Sequence, residues 1–185
     1  MYETREGILK HCSLNNARLL GELGRRFIDR LQPGLEAQVA NIADEIAYNN
    51  HDVDDGLRAG LLSFDQLAAC ELFRVQYDAV RGEWPGLDPK RTKHELIRRM
   101  INRVVMDLIE TSRENIEQEG VRHIDDARRA GKGLVALSGE TGRQHQELKQ
   151  FLYKNLYRHK RVMRMSDNAR EVVATLFKAY LDDPD

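Results

Sequence analysis

Apolar side chains recur along this chain at the three- and four-residue spacing of amphipathic helices. The clearest run extends from Arg91 to Glu117. Its apolar positions form one continuous face, made of Leu96, Ile97, Met100, Ile101, Val104, Val105, Leu108 and Ile109. A face of this kind packs against a core when the segment is helical. The spacing therefore predicts one long helix here.

The first half of the chain shows the same spacing in shorter segments. Four further helices are predicted, over Asn15–Leu31, Leu35–His51, Phe64–Ala69 and Glu71–Val80. Asn15 or Asn16 is suited to cap the first of them, and Pro33 follows its end. Ser63 is a plausible N-cap of the third. The sequence Asp54-Asp55-Gly56 predicts a break after the second helix, before a short helix that runs to Leu61.

Glycines interrupt the pattern between residues 120 and 139, where a short helix is predicted at Asp125–Arg129. The apolar run Leu134–Leu137 is compatible with a strand, although no partner strand is evident. Two closing helices are predicted, over Gln144–Tyr157 and Val162–Leu181. The pattern as a whole predicts an all-α globular bundle with mostly antiparallel helices, spanning residues 1–185 as one unit.

Composition agrees with a soluble, helix-rich protein, because 41% of the residues are apolar and 32% are charged. The net charge of −1 combines an acidic stretch near Asp44–Asp55 with separate basic clusters. This charge distribution argues against a protein that coats nucleic acid non-specifically. No run approaches a membrane span, and the N-terminus does not resemble a secretory signal. Cys12 and Cys70 match no metal or redox spacing, so we predict reduced thiols and a cytoplasmic location. We expect no membrane partner.

Candidate chemistry is concentrated in the predicted second helix. Asp44, Tyr48 and Asp52 are four residues apart, so they lie on one helical face, with His51 beside them. A carboxylate, a phenol and a second carboxylate on one face could serve a bound cation and a polar ligand. The alternative is that both carboxylates are simply solvated while the Tyr48 ring covers the edge of the core. Spacing alone leaves both interpretations open.

The rest of the sequence gives weaker indications of function. The chain has no HExxH, no GxxxxGK or GxGxxG phosphate loop and no GxSxG nucleophile elbow. Arg98 and Arg99 are plausible phosphate or subunit contacts, or part of a solvated helix surface. Lys154–Arg161 interleaves aromatic and cationic side chains, a pattern that also grips single-stranded nucleic acid. The stronger interpretation is a helical stripe that faces the core, formed by Tyr153, Leu156 and Tyr157.

Four segments resemble the dGTPase-like branch of the HD-domain deoxynucleoside triphosphate triphosphohydrolases. They are Glu36–Gly60, Thr4–His11, Glu95–Ile101 with Asp107, and Leu152–His159 with Val162–Met165. The resemblance covers nearly the whole chain and implies part of an HD-domain-type helical bundle. Members of that family cleave a dNTP to deoxynucleoside and inorganic triphosphate at a divalent metal ion, one of Mg, Mn, Fe, Ni or Co. The family also implies a homo-oligomer.

The resemblance assigns roles to the residues of the second helix. Asp44 matches the last metal ligand of the family, whereas Tyr48 and Asp52 match positions that contact the nucleotide, and His51 is a weaker candidate. The three earlier metal ligands, a His and a His-Asp pair, lie upstream of the matched region. We therefore expect a C-terminal portion of the enzyme that is inactive alone. The alternative from another class is a non-catalytic helical module that senses nucleotides or mediates assembly.

Overall fold

The computed structural model describes residues 2–9 and 12–183, and in these ranges it contains ten α-helices, one π-helical turn and no strand. The helices are α1 Tyr2–Ile8, α2 Leu14–Leu19, α3 Glu22–Ile28, α4 Leu35–Arg58, α5 Phe64–Leu67, α6 Glu71–Glu83, α7 Pro89–Gln118, α8 Ile124–Arg129, α9 Gly139–Leu152 and α10 Lys160–Asp182. The π turn, Tyr153–Tyr157, joins α9 to α10. The prediction of an all-α protein is confirmed. No helix in these two ranges is long and apolar enough to cross a lipid bilayer.

The core lies where α4, α6, α7 and α9 meet. Phe73 of α6, Met100 of α7 and Leu148 of α9 are fully buried there, together with Val53 of α4. Each of these helices presents one apolar side to the others, as the spacing predicted for α7. Helix α4 therefore has one buried side and one side that faces away from the core.

The predicted helix Asn15–Leu31 is wrong in detail, because the chain forms two helices there. Gly21 turns the backbone between α2 and α3 with a positive φ of 56°, a conformation that glycine adopts without steric cost. Ser13 caps α2 by accepting a hydrogen bond from the Asn16 N–H at 3.2 Å, so neither Asn15 nor Asn16 is the cap. The segment Thr4–His11 is described except for Lys10 and His11, which lie outside the described residues.

The break predicted at Asp54–Gly56 is also wrong, since α4 continues to Arg58. Asp54 forms an ion pair with Lys93 of α7 at 2.6 Å, and this contact lowers the pKa of Asp54. Gly56 is buried, and an added Cβ there would lie 2.6 Å from Leu62. Tertiary contacts therefore hold residues in the helix that favour a helix end when considered alone.

The run Leu134–Leu137 is not a strand. The backbone N–H groups of Leu134 and Val135 donate to Oε1 of Gln38 at 2.8 and 3.1 Å, so the side chain of one α4 residue replaces a partner strand. The predicted helix Gln144–Tyr157 corresponds to α9 followed by the π turn. The Ser63 cap is confirmed, since its hydroxyl accepts from the Gln66 N–H at 3.3 Å.

Candidate functional site

The exposed side of α4 carries the three candidate residues. Because α4 is continuous, Asp44, Tyr48 and Asp52 follow one another at about 6 Å along its axis on one face. Asp44 is exposed, Tyr48 is 60% exposed and Asp52 is half-buried. The structure thus places a carboxylate, an accessible aromatic ring and a second carboxylate in one row, which we call the α4 stripe.

The π turn brings a further tyrosine to the end of this stripe. The Tyr157 hydroxyl donates a hydrogen bond to the Asp52 carboxylate, across 105 residues of sequence. Burial, followed by the hydrogen bond to Asp52, raises the pKa of Tyr157 to about 12. Asp52 is therefore held in one orientation by a neutral phenol, and any ligand hydroxyl that binds Asp52 meets Tyr157 as well.

Two neighbours of Tyr157 extend this surface. The Tyr153 ring packs edge-on against the Tyr157 ring with centroids 6.4 Å apart. Arg158 donates to the Tyr153 hydroxyl at 2.6 Å and lies over its ring, 5.0 Å from the centroid. Of the residues assigned above to a core-facing stripe, only Leu156 is buried. The alternation of aromatic and cationic residues was the sequence signal for this surface, and π-helical turns are frequent at functional sites.

His51 flanks the α4 stripe on the side that faces α7. Consecutive helical residues are about 100° apart around the axis, so His51 and Asp52 face different ways although they are adjacent in sequence. His51 lines a groove of about 610 Å³ between α4 and α7. We call this the α4–α7 groove; its walls are mainly apolar, with Val39, Ala43, Ile46 and Ala47 on α4 and Ile97, Ile101, Val105, Leu108 and Ile109 on α7. Asn50, His51, Asp54 and His94 supply its polar groups.

Contacts to α9 fix α4 from its other side. The Asn49 amide nitrogen lies 2.9 Å from Nε2 of His145, and Lys149 pairs with Glu45 at 2.9 Å. Burial lowers the pKa of His145, although the nearby Glu45 carboxylate opposes this shift. A buried hydrogen-bonded pair orients both helices more firmly than an exposed ion pair does. The stripe is therefore carried by a helix with a fixed position.

The donors needed for a resident metal ion are incomplete in the described part of the chain. Asp44 offers a carboxylate, which is a suitable ligand for hard divalent cations. However, among residues 2–9 and 12–183 no three His, Cys, Asp or Glu side chains are grouped so that they could hold a metal ion. The residues described here therefore do not fit such an ion by themselves.

Arg98 and Arg99 are engaged in ion pairs on the α6–α7 side. Arg99 donates to Glu83 at 2.6 and 2.8 Å and to Glu95 at 2.8 Å, and Arg98 donates to Glu95 at 2.6 and 2.9 Å. These bonds, from Arg98 first and then Arg99, lower the pKa of Glu95 to about 2. Arg99 thus connects α7 to α6 through Glu83, whereas Arg98 pairs only within α7.

One family model matches the C-terminal part of the chain. Residues 135–185 match a phosphohydrolase-associated domain. The chain is thus similar in its C-terminal part, which includes α9, the π turn and α10, to proteins that carry a phosphohydrolase-associated domain.

Three curated relatives match nearly the whole chain. The chain is 52% identical over 183 residues to a deoxyguanosinetriphosphate triphosphohydrolase-like protein of Bordetella pertussis. The aligned region covers 99% of this chain and 47% of the relative. Proteins with the same name from Azoarcus sp. and Thiobacillus denitrificans are also 52% identical, over 100% and 98% of this chain and 48% of each relative. Nearly the whole chain is therefore similar to deoxyguanosinetriphosphate triphosphohydrolase-like proteins. It spans about half the length of the curated relatives it matches.

Proposed function

We propose that this chain is part of a metal-dependent hydrolase that converts a dNTP such as dGTP to deoxynucleoside and inorganic triphosphate. The observation that carries the proposal is the 52% identity over 99% of the chain to proteins with a dGTP triphosphohydrolase-like name. The accessible α4 stripe supports it, because this surface offers one anionic ligand for a cation and a ring for a nucleotide.

Within this proposal, the α4 stripe forms one wall of the nucleotide site. Tyr48, with its exposed ring, packs on the nucleotide. Asp52 accepts a hydrogen bond from a sugar hydroxyl or from a water bound to phosphate, and Tyr157 holds its carboxylate in place. His51 is placed to contact the nucleotide only at the flank of the stripe, since it faces the α4–α7 groove.

Asp44 supplies one metal ligand in the proposed enzyme, and the other ligands come from outside the described residues. A single carboxylate binds a divalent cation too weakly to retain it at neutral pH. We therefore expect the 185 residues alone to show no appreciable triphosphate release. Metal-dependent release by the isolated chain, lost on Asp44→Ala, would overturn this expectation.

A chimera tests the proposal directly. The 185 residues would replace the matching segment of the Bordetella pertussis relative, and triphosphate release from dGTP would be measured with added divalent metal. We expect activity in the chimera and its loss on Asp44→Ala, while Asp167→Ala retains it, because Asp167 is an exposed carboxylate of α10. Equal activity of the two variants in the chimera would contradict the role of Asp44. A soluble, folded chimera without triphosphatase activity would contradict the proposed reaction.

A specific feature favours a second candidate, a non-catalytic module for assembly. Helix α10 has no buried residue, although its sequence is amphipathic. Val173, Leu176, Phe177 and Tyr180 are 52–71% exposed on that helix, and an apolar helical face normally packs against another surface. If this helix mediates assembly, Val173→Asp should change the oligomeric state in analytical ultracentrifugation without affecting the α4 stripe.

The remaining predictions are part of the same proposal. We expect a cytoplasmic location from the reduced thiols, and the family implies a homo-oligomer and a divalent metal ion, one of Mg, Mn, Fe, Ni or Co. Binding of single-stranded nucleic acid to the Lys154–Arg161 segment predicts an affinity that falls steeply with salt. An affinity that does not change with salt would count against that interaction.

A further inference from the structure

We infer that the buried pair of His145 and Asn49 is a proton-sensitive latch that positions Tyr157 on Asp52. His145 lies on α9 and Asn49 lies on α4, and both side chains are buried. Asn49 directly follows Tyr48 of the α4 stripe. The pair, which we call the His145–Asn49 latch, therefore joins the helix that carries the stripe to the helix that leads into the π turn.

The hydrogen bond within the latch requires a neutral imidazole. The side-chain nitrogen of Asn49 can only donate, and it lies 2.9 Å from Nε2 of His145. Nε2 must therefore accept, which leaves the one proton of the neutral ring on Nδ1. A second proton, bound to Nε2, would place two donors against each other. The hydrogen bond between α4 and α9 would then be lost inside the protein, where unpaired polar groups are costly.

The charges around the latch come from both helices. Oε1 of Glu45 on α4 accepts from Lys149 of α9 at 2.9 Å and lies 3.7 Å from Nδ1 of His145. In the described part of the chain, Glu45 and Lys149 are the charged groups that act on His145, and they act in opposite directions. Burial is the largest influence and lowers the pKa of His145. A conformation in which the ring regains water binds the proton more tightly, so acid favours that conformation.

The other helices packed on α9 hold its first turns through contacts that do not involve His145. Glu71 of α6 pairs with Arg143 at 2.6 Å. The Asp107 carboxylate of α7 accepts from the hydroxyls of Ser138 and Thr141 at 2.7 Å. The start of α9 is therefore anchored independently of the latch. A proton on His145 acts on the later part of α9 and on the π turn that follows it.

The end point of this chain of contacts is the hydrogen bond from Tyr157 to Asp52. Hydrogen bonds weaken steeply when their geometry is disturbed, so a small shift of the π turn is enough to release the Asp52 carboxylate. The consequence for catalysis rests on the proposed function. If Asp52 holds a sugar hydroxyl or a water bound to phosphate, its release weakens substrate binding in the ground state and the transition state alike. KM then rises while kcat changes less.

Nuclear magnetic resonance of the 185-residue chain with ¹³C-labelled tyrosine rings tests the latch without any substrate. Between about pH 7.5 and about pH 5, we expect the Tyr157 ring signal to shift with the same midpoint as the His145 ring. His145→Gln keeps an acceptor for Asn49 but takes up no proton, so the shift should disappear. The control is His123→Gln, which replaces an exposed histidine at the start of α8 and should leave the shift unchanged.

A second variant separates protonation from the opening of the latch. In Asn49→Asp the new carboxylate accepts from a protonated Nε2, so the pKa of His145 should rise. Because the charged ring then keeps its partner, the Tyr157 signal should no longer follow the His145 titration. A Tyr157 shift that persists in His145→Gln would overturn the inference. A His145 titration in the unmodified chain to which Tyr157 does not respond would overturn it as well.

The chimera described above tests the consequence for substrate. Between about pH 7.5 and about pH 5.5, KM for dGTP should rise at least about threefold more in the chimera than in its His145→Gln variant, with a smaller difference in kcat. Equal KM profiles in an active chimera would overturn the link to substrate binding. A chimera without triphosphatase activity, combined with a Tyr157 signal that follows His145, would support the latch and contradict only the proposed reaction.

Discussion

Replacing Asp107 by asparagine should destabilise the fold and move the π turn that carries Tyr157. Asp107 lies on α7 and is buried, and its carboxylate accepts three hydrogen bonds. The donors are the Ser138 N–H at 2.8 Å, the Ser138 hydroxyl at 2.7 Å and the Thr141 hydroxyl at 2.7 Å. Ser138 is the N-cap of α9. Asp107 therefore fixes the start of the helix that leads into the π turn.

The expected magnitude follows from these bonds. A hydrogen bond to a charged group contributes about 1.5–3 kcal/mol. In Asp107→Asn one of the two carboxylate oxygens becomes an NH₂ group, so one bond is lost and the others lose their charge assistance. We expect a loss of about 2–4 kcal/mol in the free energy of unfolding, because the orphaned donors are buried. At about 2–4 °C per kcal/mol for a chain of this size, Tm should fall by roughly 5–15 °C.

Thermal unfolding followed by circular dichroism measures this loss. The control is Asp167→Asn, since Asp167 on α10 has a side chain that is 64% exposed and pairs with Arg170 at 3.8 Å. Exposed pairs of this kind contribute about 0–1 kcal/mol. If Asp107→Asn lowers Tm no more than Asp167→Asn does, the reasoning about the α9 cap is wrong.

The pH dependence gives a second measure of the same network. Burial alone raises the pKa of Asp107, but the bonds from Thr141 and Ser138 outweigh it, so the pKa is lowered overall. A carboxyl group with a lowered pKa in the folded state stabilises the protein above its unfolded pKa of about 3.9. That contribution is lost as pH falls through the folded-state pKa. Unfolding of Asp107→Asn should therefore be less sensitive to acid than unfolding of the unmodified chain.

Four further substitutions probe the packing and the site. Gly24→Ala should lower Tm by destabilising the α2–α3 pair, because the added Cβ would lie 1.8 Å from the Ala17 carbonyl oxygen. Gly82→Ala is the control, since a Cβ added there has no neighbouring atom within 4 Å. It should raise Tm, because alanine in a helix increases the free energy of unfolding by about 0.5–1 kcal/mol relative to glycine. Asp52→Asn should lower the pKa of Tyr157 from about 12 towards its ordinary value, as measured by ultraviolet absorbance titration; an unchanged pKa would mean that the contact does not form. Since burial lowers the pKa of His145, its neutral form stabilises the fold above the unfolded pKa of about 6.5, and stability should fall as pH drops below that value towards the folded-state pKa. Chemical denaturation of His145→Gln should show a weaker fall in that window, and an identical fall would refute the assignment.

Local periodicity in the sequence determined much of this fold. The apolar face between Arg91 and Glu117 predicted α7, which spans Pro89–Gln118. Ser63 was recognisable as a cap because the capping signal lies within four residues. The spacing of Asp44, Tyr48 and Asp52 placed them on one face as soon as the segment was taken as helical. Each of these inferences depends on neighbours within about one helical turn.

Contacts between distant residues decided the rest. The helix α4 passes through Asp54 and Gly56 because Lys93 and Leu62 pack there, and no local signal at Asp54–Gly56 reports those partners. The placement of Tyr157 on Asp52 requires the packing of α9 on α4, across 105 residues. The sequence, through its resemblance to a known family, predicted Asp44 as a metal ligand and Tyr48, Asp52 and His51 as nucleotide contacts. Only the tertiary structure decided which of them meet and which side of α4 is left open, because those outcomes depend on how the helices pack and not on the preferences of any one helix.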